Sequence, residues 1–566
     1  MKLKNARVQK KRYIPVMMGC AKKVMDEIGV SRIVDEAVKW DAAQWFASPG
    51  ELSKAMVYST MSAVRTPLYL IDKQFENLDG DFLIGKDIDE TYLNDDALGR
   101  TLDRIGEANP DLLFQKVAMN AIAQYRIAFS RIHSDTTSVS LYGAYEGDEF
   151  IRTKDGKLQL VRGYNKDHRP ECNQLIYGQM TTEHGIPLLT KTMNGNTSDV
   201  EYNQLAVKMA ADLFKSFGNA SGVYIADSKL MTGDNLHLMM SDEVKIRFIS
   251  RVPANFDKRL EERIVTKSYH EDAAWVYIGV LAENETDGAC EYWIQQWKED
   301  VHGYPMNLVC VKSSAGMQRV SRKVSKLTER MQDGIKDLEK KVFACRADAE
   351  KDFARFSKSQ KNCLHILEPE YQETKHTNRG RGRPAKNAEP PKTRSEWRVQ
   401  VIDKGIDADA YSRFVQAEEA FVLATNDCEM DGRTVLEQYK GQMVVENEFR
   451  ALKEPALVKA VFLKKPERVQ ALMFIVSVSL LVRALIQYRL RRGVKELTGE
   501  RPRVGRNGGK LQDNPTYNFL SDELRYINFI RTSKNECELL TPNEKALEQT
   551  KTLMRLLGYE LEELLS

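Results

Sequence analysis

Three acidic residues, Asp135, Asp227 and Glu446, stand where a carboxylate could do chemistry. Asp135 sits in Arg131-Ile-His-Ser-Asp-Thr-Thr137, among apolar and hydroxylic neighbours, and Asp227 directly follows the run Val223-Tyr-Ile-Ala226. Acids carried on strands or at strand ends collect at the active edge of α/β sheets, although a lone strand-end Asp reads equally well as a loop or capping residue. A helical period around residue 446 supplies a third acid. At about 100° per residue, Tyr439, Gln442, Glu446 and Lys453 fall at about 0°, −60°, −20° and −40°, on one narrow polar face. Val445, Phe449 and Leu452 form an adjoining apolar stripe that would pack this helix on a sheet, and Glu448 points about 180° away. Three carboxylates offer hard oxygen ligands, which favour Mg²⁺ or Mn²⁺. Two such ions about 4 Å apart can activate an attacking oxygen and stabilise a leaving one at phosphorus.

Elements able to position these residues are legible in the hydrophobic pattern. Ile132 to Tyr142, Gln174 to Thr182 and Ile186 to Met193 read as strands, the last two joined by the turn Glu183-His-Gly185. A helix capped at Ser198 follows, with Leu205, Met209, Leu213 and Phe217 on one face and Gly218 at its end. Strands at Val223 to Ala226 and Lys245 to Val252 complete a mixed α/β sheet. Upstream, residues 13 to 123 read as helices, with a capping box at Ser48-Pro-Gly-Glu51 and another start at Asn109-Pro-Asp111. From 256 to 417 strand-like pieces surround a long helical stretch from Met317 to Val342, the pattern of a β-rich insertion carrying a helical arm. Strand Ala420 to Thr425 should resume the first sheet. A continuous helix from about 433 should carry Glu446, and further helices should run to Ser566.

With these elements in place, Asp135, Asp227 and Tyr439-x2-Gln442-x3-Glu446-x6-Lys453 closely resemble the bacterial insertion-sequence transposases of the DDE class that carry a Tyr-x2-Arg-x3-Glu-x6-Lys (YREK) signature. The resemblance extends to Gly163-Tyr-Asn-Lys-Asp-His-Arg-Pro170, Gly195-Asn-Thr-Ser-Asp199, Pro67-Leu-Tyr69 and Asn94-Asp-Asp-Ala-Leu-Gly-Arg100, so it spans residues 20 to 490. Asp227 follows Asp135 by 92 residues and Glu446 follows Asp227 by 219, long enough for the insertion that such transposases place before the Glu helix. Gln442 departs from the pattern, standing where the family has Arg. The resemblance implies catalysis and metal binding by Asp135, Asp227 and Glu446 with two Mg²⁺ or Mn²⁺ ions. It also implies water-driven release of a 3′-hydroxyl, a hairpin made by attack on the opposite strand, and joining to a target. Tyr439, Gln442 and Lys453 are then DNA contacts beside Glu446, a helix-face hydroxyl and a solvated lysine being the alternative for Tyr439 and Lys453.

Charge points the same way only locally. Lys plus Arg number 84 against 81 acids, a net +3 that implies no nucleic-acid partner by itself. The first twelve residues, however, hold six basic side chains and no acid, and residues 375 to 394 hold seven against Glu389 alone. Within the latter, Arg381-Gly-Arg383-Pro matches a short minor-groove hook, or a solvated linker. Lys166, His168 and Arg169 form a basic loop suited to phosphate, or to surface ion pairs, and nine basic residues from 483 to 510 suit DNA or a solvated face. Trp293 and Trp297 could stack a flipped base, with core packing as the plainer role. His133 reads as structural, since hard cations prefer oxygen.

Eight scattered cysteines without a C-x-x-C pair read as reduced thiols. The apolar stretch Tyr13 to Cys20 contains Pro15 and closes on Lys22 and Lys23, unlike a signal peptide, and the apolar run Ala471 to Val482 is short of the roughly twenty residues a bilayer needs.

The expected architecture is α/β. It comprises a basic arm (1–12), a helical N-terminal domain (13–123), an RNase H-like mixed-sheet core (124–255 and 418–495), a β-rich insertion with a helical arm (256–417) and a helical C-terminal region (496–566). The expected function is metal-dependent cut-and-paste transposition. The partners are double-stranded DNA, as terminal inverted repeats and target, and a second protomer in a synaptic homodimer, with no membrane. The expected location is the bacterial cytoplasm, at the nucleoid. An RNase H-like structure-selective nuclease and an inactive DNA-binding derivative are the rival readings.

Overall fold

A computed structural model of the chain describes residues 12–62, 66–85, 88, 90–141, 158–270, 274–284, 288–360, 363–377, 393–453, 463, 465–505, 509–533 and 536–565. The chain forms two compact units, Met1–Phe248 with Tyr439–Ser566, and Ile249–Gln438. The basic arm before Arg12 and the hook residues Arg381 and Arg383 lie outside the described residues.

Unit one opens with strand β1 (Arg12–Pro15) and helices α1 (Val16–Glu27), α2 (Val30–Ala37), α3 (Pro49–Met61), α4 (Ile71–Phe75), α5 (Gly80–Ile84), α6 (Asp95–Glu107) and α7 (Pro110–Tyr125). The start read at Ser48 is a full capping box: Ser48 Oγ accepts from Glu51 N at 3.1 Å and Glu51 Oε2 accepts from Ser48 N at 2.7 Å. There follow β2 (Arg131–Leu141), β3 (Asn173–Thr182), β4 (Pro187–Asn194), α8 (Asp199–Ser216), β5 (Val223–Ala226) and α9 (Gly233–Met240). The unit-one sheet runs β4-β3-β2-β5, with β2 antiparallel to β3 and parallel to β5. The β3–β4 hairpin turns where the sequence placed it, with Gly185 at φ 81°.

Unit two holds β6 (Arg247–Arg251), shared with the end of the preceding segment, then α10 (Leu260–Ser268), β7 (Val276–Asn284), β8 (Gly288–Val301), β9 (Tyr304–Ser313), α11 (Ser314–Glu339), α12 (Arg346–Ser359), β10 (His365–Thr377), β11 (Thr393–Ile406), α13 (Ala408–Glu419), β12 (Ala420–Thr425) and α14 (Gly432–Lys440), whose last two residues, Tyr439 and Lys440, fall in unit one. Its sheet runs β6-β12-β9-β8-β7, antiparallel throughout. Here the expected boundaries change. The strands read as a separate β-rich insertion instead continue outward from β12, which pairs with β6 on one side and β9 on the other. The helical arm is real: α11 and α12 flank the β10–β11 ribbon over a small core of Leu338, Ala349 and Val399 joined by Phe343, Phe353, Phe356 and Trp397.

Unit one resumes with α15 (Met443–Lys453), α16 (Pro466–Glu496), α17 (Tyr517–Glu523), β13 (Asn528–Ser533), β14 (Glu536–Leu540) and α18 (Glu544–Leu556). The C-terminal region is therefore not wholly helical: β13 pairs with β14 and with β1, so the first described strand completes a three-stranded sheet. Helix α16 is long and apolar enough to cross a membrane by length and composition, yet nearly all of its most apolar stretch is buried. It packs against α1, α3, α6, α7, α18 and β4, so it is apolar all round because it is surrounded by protein.

A two-pronged ion pair ties α16 to α6: Arg468 Nε and Nη2 donate to Asp103 Oδ1 and Oδ2 at 2.7 and 2.6 Å. The guanidinium holds the Asp103 carboxyl below the usual carboxylate range. A depressed folded-state pKa adds stability above the unfolded-state value, and that stability is lost as pH falls. Asp103→Asn is therefore expected to cost about 1 kcal/mol near pH 7, kept small by solvent exposure of the pair. Urea melts should show the difference from wild type shrinking towards pH 3, and an unchanged gap there would refute the assignment.

Candidate active site

The backbone register brings the first two acids together. Strands β2 and β5 pair in parallel from Arg131↔Val223 to Ser134↔Ala226, so Asp135, within β2, and Asp227, the first residue past β5, each follow the last pair, near enough for the charge of Asp227 to act on Asp135. Asp227 also caps a short turn, accepting from Lys229 N at 3.0 Å. Burial pushes the Asp135 carboxyl up to about 6; Lys166 and the Thr136 N–H oppose that rise, while Asp227 and Asp199 add to it. Asp227 is raised too, chiefly by burial, with Asp199 also raising it and Lys166 opposing. These are crowded carboxylates in partial isolation from water.

Asp199, which the sequence sets at the end of the segment Gly195-Asn-Thr-Ser-Asp199 and at the start of a helix without a role in the site, belongs to this group. It is the first residue of α8, and its Oδ1 accepts from Thr136 Oγ1 at 2.5 Å. Lys166 joins the group, with Nζ 3.3 Å from Asp199 Oδ1 and 3.9 Å from Asp135 Oδ1. Its loop is stapled by buried Asn165, which donates to Ser140 Oγ and Gln174 Oε1 and accepts from the backbone N–H groups of Asp167 and Arg169. Gln174 Nε2 in turn donates to Gly195 O at 2.6 Å, joining this loop to the segment that leads into Asp199. Gly195 has to be glycine here, because a Cβ would lie 2.2 Å from the carbonyl oxygens of Gln174 and Val161. His168 and Arg169 stand on the exposed rim of the loop.

The helix expected to run through Tyr439 and Glu446 is broken. Tyr439 belongs to α14, Gln442 lies in the break, and α15 carries Glu446 and Lys453, so the four residues do not share one helix face. Gln442, expected to contact DNA, is buried: Nε2 donates to Ser134 O at 2.9 Å and Oε1 lies 3.4 Å from His133 Nδ1. It brackets the start of α15 to β2 one residue from Asp135. His133 is buried beside Gln442, and burial pushes its imidazole down to about 4.

Within α15 the expected stripe is correct. Val445, Phe449 and Leu452 join Val139, Tyr177 and Met473 in one apolar core, with the Phe449 ring edge-on to Tyr177 at 6.4 Å. Glu446 is exposed in the first turn, where the helix dipole favours an anion. Glu448 is directed elsewhere, its carboxyl pushed up to about 8 by burial, with Arg483 and Arg491 opposing. Lys453 Nζ donates to Asp167 Oδ1 at 2.5 Å, linking α15 to the basic loop.

Residues 14–119 match the model of a family described as a domain of unknown function, DUF4277. No curated protein matches the chain. Among solved structures the chain is similar to a piggyBac transposase synaptic complex with hairpin DNA, determined by cryo-EM. The TM-score is 0.37 and the identity 11%, over 97% of this chain and 83% of that one.

Among the described residues no group of three His, Cys, Asp or Glu side chains is placed to hold a metal ion. The donor chemistry of Asp135 and Asp227 suits a hard cation: oxygen ligands only, crowded, and partly stripped of water. Elsewhere, the basic stretch after 483 is largely engaged: Arg489 with Glu27, Arg492 with Glu496, Arg501 with Asp513 and Lys510 with Glu500. Trp297 donates from Nε1 to Ser268 Oγ at 2.8 Å beneath Lys267, and Trp293 lies against Tyr277, both within unit two.

Proposed function

We propose that this chain is a cut-and-paste DNA transposase of the DDE class, built on an RNase H-like core. The observation that carries the reading is the parallel β2–β5 register, whose last pair, Ser134 with Ala226, immediately precedes Asp135 within β2 and Asp227 just past the end of β5. The order β4-β3-β2-β5, a three-stranded antiparallel meander joined to a parallel strand, supports the core assignment. Asp135 and Asp227 would hold Mg²⁺ or Mn²⁺, with Glu446 as third carboxylate arriving from the helix packed over β2 and β3. The ions, when bound, neutralise charge and lower the pKa of water at the scissile phosphate.

The chain's own residues do the rest. The apolar stripe of α15 fixes the helix that carries Glu446, and Gln442 ties its start to the strand that carries Asp135. His168 and Arg169, on the exposed rim of the loop that Lys453 reaches through Asp167, present positive charge to a phosphate backbone, and Tyr439 adds a hydroxyl. Two protomers on two inverted-repeat ends in the cytoplasm, and a target duplex, complete the proposed assembly.

The test is incubation of the full-length chain with duplexes carrying the flanking element ends and Mg²⁺, with products resolved on a denaturing gel. The expected result is a 3′-hydroxyl cut at the element end followed by hairpin and joined products. Cleavage without joining would mark a structure-selective nuclease, and DNA binding without cleavage an inactive derivative. Either outcome overturns the proposal.

A further inference from the structure

The sequence reads Lys166 as part of a basic loop suited to phosphate, but its ammonium is already engaged. Nζ donates to the backbone O and to Oγ1 of Thr136, each at 2.8 Å. It lies 3.3 Å from Asp199 Oδ1 and 3.9 Å from Asp135 Oδ1. The other end of the residue is tied to the same strand, with Lys166 N donating to Ser138 Oγ at 2.8 Å. Lys166 therefore lies along β2, anchored at both ends, and its charge arrives where Asp135, Asp199 and Asp227 converge. Thr136 Oγ1 accepts from the ammonium and donates to Asp199, so a single hydroxyl orients cation and anion together. A lysine meant only to sweep a phosphate backbone would keep its donors in solvent, whereas this one spends them on the strand that carries Asp135.

Resting on the proposed metal-binding role of Asp135 and Asp227, we propose that Lys166 is the resident counter-ion of this carboxylate cluster, holding it assembled in the metal-free protein and opposing entry of a divalent cation until displaced. Lys166 is on this account a positioning residue. Its single charge offsets part of the repulsion among three acids, and the same charge repels an incoming +2 ion at the same place. Metal affinity is thus set below what the acids alone would give.

The test uses the full-length protein and Mn²⁺ alone. Wild type, Lys166→Gln, Lys166→Met and Lys166→Arg are titrated, free Mn²⁺ is followed by electron paramagnetic resonance, and thermal midpoints are compared in EDTA and in Mn²⁺. The neutral variants are expected to bind Mn²⁺ about tenfold tighter than wild type. They should melt lower in EDTA and gain more from Mn²⁺, since binding to the native state alone stabilises it in proportion to affinity. Lys166→Arg, which keeps the charge, is expected to stay within about twofold of wild type. Unchanged or weaker Mn²⁺ binding in whichever neutral variant folds would overturn the counter-ion role while leaving the metal reading intact. Absence from the wild type of any Mn²⁺ binding that Asp135→Asn removes would sink the metal reading and this inference with it.

Discussion

Asp135→Asn is expected to reduce cleavage of element-end DNA by about a thousandfold or more, equivalent to roughly 4 kcal/mol of transition-state stabilisation, while DNA binding and folding are retained. The argument for separable effects is electrostatic. Asp135 is held in a site that already disfavours its charge, raised to about 6 by burial and by the neighbouring Asp227 and Asp199. Asparagine keeps the shape and relieves repulsion between like charges, so the folded state loses little beyond the partial contact with Lys166 at 3.9 Å. What it loses is an anionic oxygen ligand. Gel-shift affinity and thermal midpoint should sit close to wild type while the denaturing gel goes blank. Retained cleavage would remove Asp135 from the chemistry. Parallel substitution of Asp227 should behave alike, and Glu446→Gln separates the strand pair from the helix-borne acid: cleavage surviving in that variant would leave Glu446 as only a favourable charge at the start of α15.

That distinction matters because the two halves of the site differed in how far the sequence revealed them. The strand-borne acids were legible because period-two runs locate strands and the short run before Asp227 ends at an acid. The rotation of α15 was legible because Val445, Phe449 and Leu452 recur at helical spacing, and that stripe is indeed the buried face. The break before α15 was not. A 3.6-residue period carries through an interruption of two residues without much loss of phase, so Tyr439 and Gln442 looked like members of one face. The local signal was Gly441, which ends helices readily. Gln442 then became buried, a role its residue type permits because a carboxamide can satisfy a backbone carbonyl and an imidazole at once.

Asp199 and Lys166 illustrate a different limit. Each had a sufficient local explanation, a first-turn acid and a basic loop, and nothing in their spacing says that they meet at Thr136. The pairing of β1 with β13 is of the same kind, since register between distant segments depends on tertiary packing and not on either pattern alone. Likewise the strands of unit two were found individually, but their continuation from β12 could not be read from alternation, which locates a strand without naming its neighbours.

The second large effect is expected from Phe449→Ala. Phe449 is 6% exposed, lies edge-on to Tyr177 of β3 and shares one buried core with the α16 residues Met473 and Val476. Deleting a buried phenyl ring typically costs about 3–5 kcal/mol, because lost transfer energy and an unfilled cavity add together. The cost should be near the upper end here, since the cavity would be walled by a strand and by a long helix that is itself enclosed, and neither can collapse freely. Phe449→Leu, which refills most of the space, is expected to recover more than half of the loss. Equilibrium urea unfolding of both variants measures this directly. The functional consequence follows from geometry: α15 reaches the sheet through this stripe and through Gln442, so weakening the stripe should release the N-terminal turn that bears Glu446 while the β2–β5 register stays intact. In a folded Phe449→Ala preparation cleavage should fall with Mn²⁺ binding only modestly changed. A variant that unfolds at the wild-type urea concentration would show that α15 is held by something other than its apolar face, and the link between that helix and the aspartates would need another basis.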